Sequence, residues 1–191
     1  MKPRVITTKT NQLKHLDRLR LVHGRLLDEQ DVDAVVMAVT DDLSLDSPLN
    51  EIVLDAAGPK LEADILDHIY KPKPGDCYSF DGYDLDVDHL IVVVKPAPKT
   101  TVILEDKFLL RTYKSALAHA EKIGIKSISF PAMGSEYLKY PPDRAARLGI
   151  AALSEAIYDD LEEVRVVCKN EQLYRAFFSR LRKRGWIPPV R

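Results

Sequence analysis

The sequence predicts an α/β protein, a three-layer α/β/α domain around a central mixed β-sheet. Three observations predict it. The runs 34–39 and 90–94 are short, apolar and rich in β-branched residues, the pattern of strands covered on both faces, and valine-rich 164–167 reads as a further strand. Longer segments between them carry apolar residues three and four apart, the pattern of amphipathic helices. A strand pair, 76–80 and 89–94, sits mid-chain with a polar connection and no helix between, which mixes strand directions in one sheet. The alternation alone also fits other α/β folds.

In chain order, residues 4–8 read as a short edge strand and 11–19 as a helical turn or loop. Residues 20–24 form a strand ending at Gly24. The strand 34–39 stops at Thr40-Asp41-Asp42. Ser47 is a good N-cap and Pro48 fits the first helical position, so a helix opens there. Leu49, Ile52, Val53 and Ala56 are expected on its inner side, and Gly58-Pro59 stops it. A second helix carries Leu61, Ile65, Leu66 and Ile69, and Lys71-Pro72-Lys73-Pro74-Gly75 breaks it. After the strand pair, residues 104–123 form a long helix with Leu109, Tyr113, Ala116, Leu117, Ala120 and Ile123 as its stripe. Strand 126–130 follows, then a helix opened by Pro141-Pro142-Asp143. Strand 164–167 leads to a last helix capped by Asn170, with Leu173, Tyr174, Phe177, Phe178 and Leu181 inward.

The 191 residues suit a single domain spanning 1–191, with a core over about 20–182, a short N-terminal extension and a C-terminal tail. A hydrophobic fraction of 46% supplies a sizeable core and argues against disorder. Lys+Arg of 28 against Asp+Glu of 29 leaves no basic field, so nucleic acid is not the expected partner. The basic run Arg180, Arg182, Lys183 and Arg184 beside Trp186 has two readings: a solvated helix end, which the macrodipole favours, or a weak anion site with a stacking ring. Cys77 and Cys168 read as separate reduced thiols. No apolar h-region follows the N-terminus and no stretch is long enough for a bilayer span, so a soluble, cytoplasmic or otherwise intracellular protein is expected. Aspartates alternate through 84–88, but the glycine and glutamate of a calcium loop are absent, and no metal or cofactor is expected.

A buried strand feeding a loop and then a helix N-terminus is where α/β proteins place ligands. The stretch 32–59 has that layout. It also resembles the macro domain, an ADP-ribose-binding fold. Val32-Asp33-Ala34-Val35-Val36-Met37-Ala38-Val39-Thr40 is similar to the family's strand V-D-A-I-V-N-A-A-N, and Ala56-Ala57-Gly58 to the A-A-G that ends its helix. Downstream, the run from Ile125 to Pro141, with Phe130-Pro131-Ala132-Met133-Gly134-Ser135, resembles the family's second strand and phosphate loop. The resemblance covers residues 21–181.

It implies a diphosphate held between two loops by backbone N–H groups, with glycines permitting close approach. It also implies candidate ligand-binding positions at Gly24, Arg25, Thr40, Ser47, Gly134, Ser135, Glu136, Tyr137 and Lys139. The departures fall on these positions. The family's adenine-contacting Asp is replaced by Arg25, which cannot accept a hydrogen bond. Arg25 also reads simply as a solvated loop residue. First-loop glycines correspond to Leu45-Asp46-Ser47-Pro48, and Pro48 has no N–H. Asp41, Asp42, Asp46 and Glu51 add negative charge. In the second loop Glu136 and Lys139 replace glycines, and Lys139 can pair a phosphate. At the family's catalytic positions stand Thr40 and Asn50, and neither is a general base, so the chain reads as an enzyme only with a rearranged site. Five scattered histidines read as structural; His23 is expected nearest the cleft.

Three functions fit. One is a non-catalytic module that binds ADP-ribose or a related nucleotide weakly or with altered specificity, favoured by Gly134, Ser135 and Tyr140. Another is a macro fold that lost nucleotide binding and serves as a protein-interaction domain, its acidic loop meeting a basic partner. The third is an ADP-ribosyl hydrolase with a rearranged site.

Overall fold

The computed structural model describes residues 15–95, 102–134 and 140–189. Its strands are β1 (Leu19–His23), β2 (Ala34–Thr40), β3 (Cys77–Asp81), β4 (His89–Lys95), β5 (Ser127–Pro131) and β6 (Glu163–Cys168). Its helices are α1 (Pro48–Ala57), α2 (Pro59–His68), α3 (Val102–Lys122), α4 (Pro142–Ala156) and α5 (Glu171–Lys183). The strands form one sheet in the order β1-β6-β5-β2-β4-β3. All neighbours are parallel except β3, which runs antiparallel to β4. The sheet is therefore mixed, and the three layers expected from the sequence are present.

Alternation along β2 divides the core. Ala34, Val36 and Ala38 join the cluster under α3, α4 and α5, which includes Tyr113, Phe130 and Phe177. Val35, Met37 and Val39 join the cluster under α1 and α2, with Val53, Leu61 and Ile65. A strand whose two faces both meet apolar layers has to be apolar throughout, which is why the 34–39 run does not alternate. Gly149 allows close packing of α4: a Cβ there would stand 3.1 Å from Phe177 and 3.3 Å from the Tyr113 hydroxyl.

Two expectations on the helices need correction. Ser47 caps α1, accepting from Asn50 N–H at 3.2 Å, but the buried face is Asn50, Val53 and Ala57. Ile52 is 50% exposed and Ala56 is exposed too. The polar Asn50 can face inward because its amide finds an acceptor there. On α2, Leu61, Ile65 and Ile69 are buried four apart, and Leu66, one residue round the helix, is exposed. Near the N-terminus, a 3-10 turn covers Leu16–Arg18 and β1 follows at once. The strand expected over 4–8 lies outside the described residues.

The start of β2 is tied to the start of β5. The Asp33 carboxylate accepts from the N–H groups of Lys126 at 2.7 Å and Ser127 at 2.9 Å, and Asp33 N–H donates to the Ser127 hydroxyl at 2.9 Å. Beyond that clamp the two strands pair only at Ala34 with Ile128 and Val35 with Ser129. On its other side β2 pairs with β4 along all seven residues.

Candidate functional site

The divergence of β2 and β5 opens a crevice at their carboxyl ends. The chain leaves β2 toward β4 on one side, while β5 and β6 build the other side, so this is the point where strand order reverses. Open α/β sheets bind ligands at such a point. The loop from Thr40 to Ser47 and the N-terminus of α1 border it on one side, and the loop after β5 borders it on the other.

The first loop is closed by its own hydrogen bonds. Thr40, 6% exposed, donates its hydroxyl to Asp42 and accepts from Ser44 N–H at 3.2 Å. Leu43 N–H turns back to Thr40 O at 2.9 Å, with Leu43 in the left-handed region at φ 57°. Ser44 donates to Asp46 at 3.2 Å. Leu45 is buried in the cluster under α1 and α2, which draws the loop down onto the core. At the start of α1, Pro48 has no N–H and Asn50 N–H is spent on Ser47, so little of the usual anion-binding capacity of a helix N-terminus is left. Asn50 itself is 2% exposed and donates its side-chain amide to Ala38 O at 3.1 Å.

The second loop leaves β5 under three restraints. Ala132 N–H donates to Val167 O at 2.9 Å, and Met133 N–H donates to the Tyr113 hydroxyl at 2.8 Å. Gly134 has φ 105°, which favours glycine, and a Cβ on it would also press on the Leu109 side chain at 2.9 Å. Tyr140 N–H returns to Gly134 O at 3.1 Å, and Arg144, paired with Asp106 at 2.8 Å, lies over the Tyr140 ring at 4.3 Å. Ser135, Glu136, Tyr137 and Lys139 lie outside the described residues.

A family model described as the macro domain matches residues 36–149, the segment that holds both loops. The chain belongs to the macro domain family. A macro domain-containing protein of Mesorhizobium japonicum is 31% identical over 175 residues, covering 89% of this chain and 98% of that one. The solved structure of the Oceanobacillus iheyensis macrodomain with ADP superposes with a TM-score of 0.77 at 23% identity, covering 86% of this chain and 90% of that one. The Trypanosoma brucei macrodomain in complex with ADP-ribose gives a TM-score of 0.75 at 23% identity, covering 86% and 69%.

In this macro domain the candidate residues Gly24, Arg25, Thr40, Ser47 and Gly134 all lie at or after the carboxyl ends of parallel strands. Gly24 N–H extends the ladder to Cys168 O at 3.1 Å. Arg25 is exposed and forked onto Asp28, at 3.1 and 3.0 Å. His23 does not join the crevice. It packs on Tyr174 of α5 with ring centroids 5.6 Å apart, on an outer strand two strands from β5.

The stacking reading of Trp186 fails as well. Its ring is 3% exposed, donates to Leu19 O at 2.8 Å and meets Phe178 edge-on. Arg180 is paired with Asp143 and Arg182 with Trp186 O, as a solvated helix end would be. Both cysteines are free thiols, and burial pushes each up to about 12, so neither is a ready nucleophile. Among the described residues no cluster of histidine, cysteine or carboxylate side chains could hold a metal, and no helix is long and apolar enough to cross a membrane.

Three roles escaped sequence reasoning. Asn50 falls three and seven residues before Val53 and Ala57, a spacing that marks a buried position. Tyr113 sits mid-stripe on α3, where its hydroxyl had to find a partner. Arg165, 4% exposed, lies between the inward Val164 and Val166 and so faces the opposite layer, where it pairs with Glu29, Asp31 and Glu163.

Proposed function

We propose that this macro domain is a non-catalytic binding module whose crevice takes ADP-ribose or a related nucleotide weakly or with altered specificity. The observation that carries the reading is the self-closed first loop. Thr40 and Ser44 donate their hydroxyls to Asp42 and Asp46, Ser47 accepts from Asn50 N–H, and Pro48 offers no main-chain donor. Asp42 and Asp46 are exposed beside that loop. Each like charge meeting a diphosphate costs on the order of 1 kcal/mol near a surface. The nucleotide class is supported by relatives of the same fold, whose structures hold ADP and ADP-ribose. Hydrolysis is not expected, because Thr40 and the buried Asn50 supply no general base.

A second reading, a protein-interaction domain facing a basic partner, is favoured by the exposed acidic residues of the first loop. Titration with ADP-ribose, ADP, AMP and NAD at low and high salt separates the two. Weak heats for one nucleotide support the first reading, and silence with all four supports the second.

A further inference from the structure

We propose that the free edge of β3 pairs antiparallel with the same edge of a second copy of this chain, about a two-fold axis at Ser79. Among the described residues β3 ends the sheet, with β4 on one side only. Val94 N–H donates to Asp76 O at 2.8 Å, while His89 N–H donates the other way, to Asp33 O at 3.0 Å. Antiparallel ladders alternate, so Tyr78 and Phe80 exchange bonds with Val92 and Leu90, their register partners. The main-chain N–H and C=O groups of Cys77, Ser79 and Asp81 therefore point away from the sheet. Such a row is a template for another strand. It lies in a groove of about 450 Å³ between Asp64 and His68 of α2 and His119 of α3.

This edge is complementary to itself. An antiparallel copy centred on Ser79 sets Ser79 opposite Ser79 in a hydrogen-bonded pair, and Cys77 opposite Asp81. Tyr78 then stands opposite Phe80 twice, on the face that packs toward α2, and aromatic cross-strand pairs of this kind stabilise a ladder. Asp81 does not face its own counterpart. The two Asp81 carboxylates fall four residues apart along the strands, about 14 Å, beyond a screening length of about 8 Å.

His119 argues for a second copy over an unrelated strand. Its Nε2 is shielded from solvent and has no hydrogen-bond partner among the described residues. Cys77, Ser79 and Asp81 share one face of the strand, and Cys77 packs against the cluster under α3. The Asp81 that arrives opposite Cys77 therefore enters on the His119 side of the groove, which Cys77 also lines. A turn of the His119 ring, whose Nε2 has no hydrogen bond among the described residues to lose, offers that carboxylate a donor.

Sedimentation velocity on the full chain, from micromolar to millimolar concentration, tests this. The wild type converts to a dimer as concentration rises. Ser79→Lys sets two ammonium groups face to face at the axis and stays monomeric, with the melting temperature of the dilute protein unchanged, because Ser79 is exposed. Asp81→Ala removes the acceptor for His119 and weakens the dimer about tenfold or more. Should Ser79→Lys not fold, Asp81→Ala decides. A wild type monomeric over the whole range, as expected if the edge serves another protein, overturns the proposal. So does a dimer whose midpoint the folded variants leave unmoved.

Discussion

The side-chain amide of Asn50 donates to the main-chain carbonyl of Ala38 at 3.1 Å, at a position 2% exposed. This bond fastens the first turn of α1 to the end of β2, where β5 has already moved away. It helps to place the first loop and keeps Asn50 out of solvent.

Asn50→Ala is expected to cost about 2 kcal/mol, because Ala38 O loses its buried partner. Asn50→Asp is expected to cost more, since an ionised carboxylate cannot donate and is itself buried. Denaturant unfolding of both variants checks the order. Equal stability of Asn50→Asp and wild type would show that the bond holds nothing in place.

The Arg165 cluster predicts acid sensitivity. Burial works against the charged guanidinium, and its hydrogen bonds to Asp31 and Glu163 outweigh that and raise its pKa. The hydrogen bond from Arg165 in turn holds Asp31 below the ordinary carboxylate range. A depressed carboxylate contributes stability above its unfolded value, and loses it as pH falls through its folded value. The stability gap between wild type and Asp31→Asn should therefore be present at neutral pH and close in acid. Asp31 is largely exposed, so the gap is small. Arg165→Ala should cost about 3 kcal/mol at neutral pH, because Glu29 loses its partner as well and Glu163 keeps only Arg20.

Tyr113→Phe leaves Met133 N–H without its acceptor and should cost about 1–2 kcal/mol. The informative readout is local. Amide hydrogen exchange at Met133 should speed up more than exchange in β5, because the phenol restrains the departing loop while Phe130 stays packed. Exchange slowed or unchanged at Met133 would show that the phenol does not restrain the loop.

Most of the fold was legible in the sequence. The runs at β2 and β4 could only be strands covered on both faces, and Ser47, Pro48, Gly58 and Asn170 punctuate their helices by their own backbone chemistry. What stayed hidden depends on partners distant in the chain. Asn50 has the spacing of an inward position, but its acceptor, Ala38 O, is set only by the fold, and Trp186 reads as an exposed ring until Leu19 O accepts its N–H. The crevice could be located from the strand–loop–helix layout. Its closure could not, because the Thr40–Asp42 bond and the inward turn of Leu45 are properties of the folded loop.

Restoring the family's loop chemistry should open the site. A variant with Arg25→Asp and glycines at Leu45, Asp46, Ser47 and Pro48 should bind ADP-ribose more tightly than the parent. It should also melt lower, because Leu45 leaves the core and Ser47 no longer caps α1. Calorimetric titration of the folded variant beside its parent reads both effects. Unchanged affinity in a folded variant would show that the first loop and Arg25 are not what limits binding.

The most direct test of the closed first loop is calorimetric titration of ADP-ribose into the unmodified protein. Weak binding or no measurable heat is the expected result. Binding at micromolar or tighter affinity would contradict the account, and would mean that the second loop and the main chain suffice to hold the ligand.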